Sequence, residues 1–170
     1  FIPVFSETLE KKGQQAAQCL TANIFNILLL LLSVTSLALF IFSPAVITIF
    51  APGFIEDAEK FNLTVDLTRW MAPYLFFIGL AAFSMGILNS LKVFTLPAAT
   101  PILQNVSMIA AILILVPQMD EPIIGLAVGV VIGGVLQTFI QLPTLIKKGY
   151  GWKNYLHFKQ PEVIKIAKLM

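Results

Sequence analysis

Four long stretches of this chain carry no charged side chain, and their lengths constrain the fold more than any other feature. No Asp, Glu, Lys or Arg occurs between Lys12 and Glu56, Arg69 and Lys92, Lys92 and Asp120, or Glu121 and Lys147. A helix rises about 1.5 Å per residue, so about 20 apolar residues cross the roughly 30 Å hydrocarbon layer of a bilayer. Each gap is long enough for one crossing, giving spans at about 23–50, 70–91, 98–116 and 122–146. The first would measure about 42 Å as a straight helix, so Pro44 is expected to kink or end it.

Composition supports the lipid reading. Apolar residues make up 58% of the chain and charged residues 12%, against roughly 45–50% and 25% in soluble domains. One core of 170 residues cannot hide that much apolar surface from water. The expected fold class is all-α, a polytopic membrane helix bundle, with residues 1–170 forming one membrane domain. The stretches 1–5 and 161–170 read as partial spans, so the chain is expected to be an internal piece of a longer protein.

Helix signals punctuate the connections. Ala51-Pro52-Gly53 ends the first span. Phe54 to Leu67 reads as an acidic loop, Thr64 and Asp66 can cap the second span, and Pro73 would then fall in its first turns. Thr95 or Pro97 opens the third span and Pro117 closes it. Pro122 starts the fourth, and Lys147-Lys148-Gly149 ends it with cations and a C-cap glycine. Ser6 to Leu20 reads as a polar, interfacial helix.

Four crossings sort the loops onto two sides. One side holds Lys11, Lys12, Lys92, Lys147, Lys148, Lys153, Lys159, Lys165 and Lys168; the other holds Lys60 and Arg69. The positive-inside rule assigns the lysine-rich side to the cytoplasm. Residues 1–22 and 147–160 are thus expected inside and 54–66 outside. Trp70, Trp152, Tyr74, Tyr150 and Tyr155 fall near the expected interfaces, where an aromatic belt accounts for them.

Several function classes are excluded. A net charge of +2 leaves no whole-chain nucleic-acid footprint. Cys19 and His157 are each the only residue of their type, so there is no intrachain disulfide and no metal-ligand spacing. No nucleophile elbow or phosphate-cradling glycine loop is present. No enzymatic activity, cofactor or metal is therefore expected.

Two patterns remain inside the spans. Small residues recur at helical spacing: Ala82, Gly86 and Ser90 in the second span, and Gly125, Gly129 and Gly133 in the fourth. Such stripes let helix backbones approach closely. Gly133-Gly134 followed by Pro143 makes the fourth helix the one expected to bend. The second pattern is polar. Asn89 and Ser90 lie in the second span, Gln104, Asn105 and Ser107 in the third, and Gln137 and Gln141 one turn apart in the fourth. At membrane depth a polar side chain faces protein or water. Each therefore serves either an interhelical hydrogen bond or a substrate, and together they suggest a polar inner face shared by three helices. Asn89, Asn105, Gln137 and Gln141 are the candidates for a substrate cavity. No ionisable residue lies at the centre of a complete span, and Arg69 reads as an interface residue at the outer mouth of the second.

Several stretches carry a family resemblance. They are Phe1-Ile2-Pro3-Val4-Phe5-Ser6-Glu7, Ala51-Pro52-Gly53-Phe54, Pro73-Tyr74-Leu75-Phe76-Phe77, Gly86-Ile87-Leu88-Asn89-Ser90, Pro97-Ala98-Ala99-Thr100-Pro101-Ile102-Leu103, Asn105-Val106-Ser107-Met108-Ile109, and Gly133-Gly134-Val135-Leu136-Gln137 with Gln141-Leu142-Pro143. In order and spacing this set resembles the MurJ/MviN lipid II flippases of bacteria over nearly the whole chain.

The resemblance implies a MOP-superfamily-type transporter of fourteen helices and two lobes in the bacterial inner membrane. This chain would supply part of the N-terminal lobe, from the end of the second helix to the start of the seventh. Its partners would be lipid-linked peptidoglycan precursor, membrane lipids and the remaining helices of the full-length chain. The family's basic anchors and cation site would lie outside residues 1–170. Other readings stay open: another exporter of the same superfamily, moving polysaccharide-lipids or drugs and cations, or a non-transporting membrane scaffold.

Overall fold

The computed structural model describes residues 2–151, 157 and 161–169. Trp152, Lys153, Tyr155 and Lys159, assigned above to the aromatic belt and the inner loop, lie outside the described residues. The helices are α1 (Ile2–Ile41), α2 (Ser43–Phe50), α3 (Ala58–Ser90), α4 (Thr95–Ile114), α5 (Pro122–Lys147) and α6 (Pro161–Leu169), with single 3-10 turns at Pro52–Phe54 and Val116–Gln118. No strand occurs among the described residues. Four helices are long and apolar enough to cross a membrane: α1, α3, α4 with its 3-10 extension, and α5. Their outward faces are apolar. Leu30, Leu31, Val34 and Leu37 on α1 and Ile102, Ile109 and Leu113 on α4 are exposed.

α1 is two arms joined at a reversal. Gly13 has φ 81° and ψ 176°, a backbone region essentially reserved for glycine. Ile2 lies beside Phe83 in one cleft wall, and Phe25 packs on the same ring at 6.3 Å between centroids. A straight helix would hold residues 2 and 25 about 34 Å apart. The chain therefore doubles back at Gly13. The stretch expected as one polar helix over Ser6–Leu20 is thus the turn of a helical hairpin. Both arms bury residues in one cluster, with Phe5 and Leu20 fully enclosed.

Pro44 has the effect expected of it. The first span breaks between Ile41 and Ser43, and α2 runs on from there. A proline cannot donate to the carbonyl four residues back, here that of Phe40, and the preceding hydroxyl replaces it: Ser43 Oγ donates to Phe40 O at 3.2 Å. The same device recurs in α4, where Thr100 Oγ1 donates to Pro97 O at 2.8 Å, the carbonyl that Pro101 leaves free.

α3 begins earlier than the sequence suggests. Residues 58–67 are helix, not loop, because Asp57 caps them by accepting from Lys60 N at 3.1 Å. Thr64 is no cap. Its hydroxyl bonds back to Lys60 O at 2.7 Å inside the helix. At 33 residues α3 is about 50 Å long and must project beyond the hydrocarbon on one side. Pro73 consequently sits in mid-helix rather than in the first turns. Beside it, Ser36 Oγ of α1 donates to Ala72 O at 2.7 Å.

Two helices close in the same way. Lys92 has φ 61°, and Val93 N and Lys92 N donate to Leu88 O and Asn89 O. Gly149 has φ 86°, and Tyr150 N and Gly149 N donate to Leu145 O and Ile146 O. Both are left-handed C-terminal closures that satisfy otherwise orphaned carbonyls. At the second, glycine adopts this φ without the strain that an L side chain would carry.

The spans stand in the order α1, α3, α5, α4: α5 packs on both α3 and α4, α3 also packs on α1, and α3 barely meets α4. The contacts follow the small residues. A Cβ on Gly129 would lie 2.3 Å from Ala111 Cβ, and one on Gly133 2.5 Å from Gln104 Oε1, both on α4. Gly125 faces Val116, whereas Gly134 turns to Tyr74 and Phe77 of α3. Gly79 of α3, absent from the stripes read above, meets Leu32 of α1.

α6 lies against the first arm of α1. Glu7 pairs with Lys165 at 2.5 Å, and Lys12 with Glu162 at 2.5 Å, so the two segments run antiparallel. Lys165 first, and Lys11 after it, hold the Glu7 carboxyl down at about 2.

Candidate functional site: a polar seam between three helices

On α4, Gln104, Ser107 and Ala111 follow one another at helical spacing and face α5. Gln104 Nε2 donates to Val130 O at 3.3 Å, and Ser107 Oγ donates to Gly129 O at 2.7 Å. From α5, Gln137 Nε2 donates to Gln104 Oε1 at 2.7 Å. At the next residue, Thr138 Oγ1 donates to Phe77 O of α3 at 2.8 Å. Gln141 Nε2 donates to Ala81 O of α3 at 3.2 Å and to Gln137 O at 3.0 Å. The seam therefore ties α4 to α5 near its middle and α5 to α3 towards its C-terminal end.

Burial ranks the expected cavity residues. Gln141 is 0% exposed and Gln137 is 6% exposed, so both amides are spent between helices. Among the described residues Gln141 Oε1 has no hydrogen-bond partner. Asn89 is half-buried near the end of α3, and Asn105 is exposed. Asn105 does not meet Gln137; its neighbour Gln104 does. A helix turns 100° per residue, so a one-residue difference decides which polar group enters the seam. Gly86 is half-buried, while Gly129, Gly133 and Gly134 are buried at the contacts described above. Pro143 lies in the last turns of α5 and is exposed.

One polar residue was given no role above. Asn23 is 0% exposed, and its amide grips the backbone of His157 from both sides. Nδ2 donates to His157 O at 2.8 Å, and His157 N donates to Oδ1 at 2.7 Å. This holds His157 onto α1. In the sequence only its position at the polar start of the first apolar span marks it. Arg69 pairs with Asp66 at 3.4 Å on the exposed surface, consistent with an interface residue. Among the described residues, no three His, Cys, Asp or Glu side chains gather as metal ligands.

The arrangement holds the three helices together through neutral hydrogen bonds and leaves Asn105 at the surface of the row.

Comparison with known proteins fits this architecture. A family model described as lipid II flippase MurJ matches residues 1–170. The chain is 37% identical over 147 residues to the lipid II flippase MurJ of Burkholderia cenocepacia, covering 86% of this chain and 28% of that protein. It is 36% identical over 177 aligned residues to a probable lipid II flippase MurJ of Vibrio cholerae, covering 100% of this chain and 34% of that protein. The corresponding protein of Haemophilus influenzae is 32% identical, covering 100% of this chain and 35% of its own length. The chain thus spans about a third of these relatives.

Proposed function

From its family, since this chain belongs to the lipid II flippase MurJ family, we propose that it forms part of a transporter that moves lipid-linked peptidoglycan precursor across the bacterial inner membrane. The observation that carries this reading is the unbroken family match over residues 1–170. The transporter works by alternating access, passing the precursor from the cytoplasmic to the periplasmic leaflet. It rearranges helices and breaks no bond in its cargo.

The physics of the task agrees with the fold. A flippase shields an anionic sugar–pyrophosphate headgroup from hydrocarbon while the lipid tail stays outside, which needs a wet cavity between helices that can shift. Asn105, exposed on α4, and Asn89, at the end of α3, are placed to face that cavity in the complete protein. Gln137 and Gln141 support it from behind by fixing α5 between its neighbours. Gly133, Gly134 and Pro143 form the bending region of α5. Residues 1–22 and 147–160 face the cytoplasm and 54–66 the periplasm.

The test is a graft. Residues 1–170 replace the matching segment of a functional MurJ, and the chimera is expressed in a strain depleted of its own flippase. Restored growth with lipid II reaching the outer leaflet is expected. A chimera that accumulates normally yet leaves lipid II inside overturns the reading.

A further inference from the structure

A cleft of about 280 Å³ opens between α1, α3 and α5, apart from the polar seam. Its walls are Ala22, Phe25 and Leu29 of α1, Phe83 of α3, and Leu142 and Ile146 of α5. All its α5 residues come from the helix's last two turns, and Tyr150 and Gly151 close that end. The cleft therefore belongs to the half of the bundle where the chain's cations collect. Leu29 is 37% exposed and Ile146 62% exposed, so the opening looks sideways into the hydrocarbon.

An open apolar hollow at that depth is neither dry and empty nor wet. Vacancy forfeits dispersion contacts along every wall, and a water there would find too few polar partners. Lipid chains are the solvent that fits. Two features add a headgroup preference. Lys147 and Lys148 follow the last cleft residue of α5, both exposed, and two cations at the inner surface attract anionic lipid. They outweigh the weak negative end of the helix dipole, whose last carbonyls Lys148 N, Gly149 N and Tyr150 N already occupy. Two residues at the cleft's inner end carry hydroxyls, Thr21 Oγ1 and Tyr150 Oη, that have no hydrogen-bond partner among the described residues. Burial pushes the Tyr150 phenol above its usual range, so it stays a donor. Rotated inward, these hydroxyls suit the ester carbonyls of a glycerolipid.

We propose that this cleft binds one acyl chain of an anionic phospholipid of the cytoplasmic leaflet, with Lys147 and Lys148 holding its phosphate. The cleft shares no lining residue with the polar seam between α3, α4 and α5.

The test places the full-length protein in nanodiscs of equal phosphatidylglycerol and phosphatidylcholine and counts retained lipids by native mass spectrometry. Wild type retains phosphatidylglycerol with roughly tenfold preference, the scale set by two lysines at an anionic surface. Lys147→Gln with Lys148→Gln abolishes the preference and leaves chain occupancy. Leu29→Trp, at the exposed mouth where the fold tolerates bulk, removes the bound lipid; Ala22→Phe, deeper in the wall, does the same if it folds. No preference in wild type, or retention unchanged in Leu29→Trp, overturns the proposal. So does one-for-one displacement of phosphatidylglycerol by undecaprenyl phosphate, which would give the cleft to a prenyl chain instead.

Discussion

Gln137 Nε2 of α5 donates to Gln104 Oε1 of α4 at 2.7 Å, and the backbone of Gly133 runs so close to Gln104 that a Cβ there would strike the same amide at 2.5 Å. The glycine and the glutamine pair are one device: the missing side chain admits the helix, and the amide bond holds it.

That pairing separates two residues the sequence groups together. Gln137→Leu leaves Gln104 Oε1 buried without its donor and should lower stability. Neutral interhelical bonds in membranes average about 0.6 kcal/mol, and an orphaned buried group raises the loss to about 1–3 kcal/mol. Asn105→Leu should leave the melting temperature unchanged and impair transport if Asn105 faces the cavity. Thermal unfolding in detergent, with complementation at matched membrane levels, checks both. Full growth from the Asn105 variant would place it outside the transport path.

Gly129→Leu should be the most damaging single change in α5. Even a methyl group there would lie 2.3 Å from Ala111 Cβ, so α4 and α5 must part and break the Ser107–Gly129 bond. Overpacking of this kind costs typically about 1–3 kcal/mol. The yield of folded protein after size-exclusion chromatography measures it. An unchanged yield would mean that the two helices do not pack at this point.

Two left-handed positions should respond in opposite directions. Lys92 occupies φ 61° with a side chain, so Lys92→Gly relieves about 1–2 kcal/mol of strain and should raise the melting temperature. Gly13 sits where only glycine is at ease, so Gly13→Ala should cost about 1–3 kcal/mol although its Cβ would meet nothing within 4 Å. Equal melting temperatures for Gly13→Ala and wild type would exclude the sharp reversal.

Sidedness has a direct test. Single cysteines at Glu59 and Lys148, in a Cys19→Ser background, should react with a membrane-impermeant thiol reagent from opposite faces of the membrane. Reaction of both from the periplasm would remove one of the four crossings.

The family is legible in the sequence because its short stretches recur in one order and spacing over nearly the whole chain, although those at 73–77, 105–109 and 133–137 lie inside helices. Pro73 was legible but misplaced: its position relative to a helix start depends on where the cap is, and Asp57 competes for that role with Thr64 and Asp66 on equal local chemistry.

The sequence by itself determined that this chain is a helical membrane bundle, that four of its helices are long and apolar enough to cross a bilayer, and which connections carry the cations. Those properties follow from transfer of side chains between water and hydrocarbon, which adds up residue by residue along the chain. Tertiary structure alone decided that Gln104 rather than Asn105 meets Gln137, that Gly13 reverses the first helix, and that Asn23 clamps His157. Those are matters of rotation and distance between segments, 33 residues apart for Gln104 and Gln137 and 134 for Asn23 and His157, and each is fixed only when the helices pack.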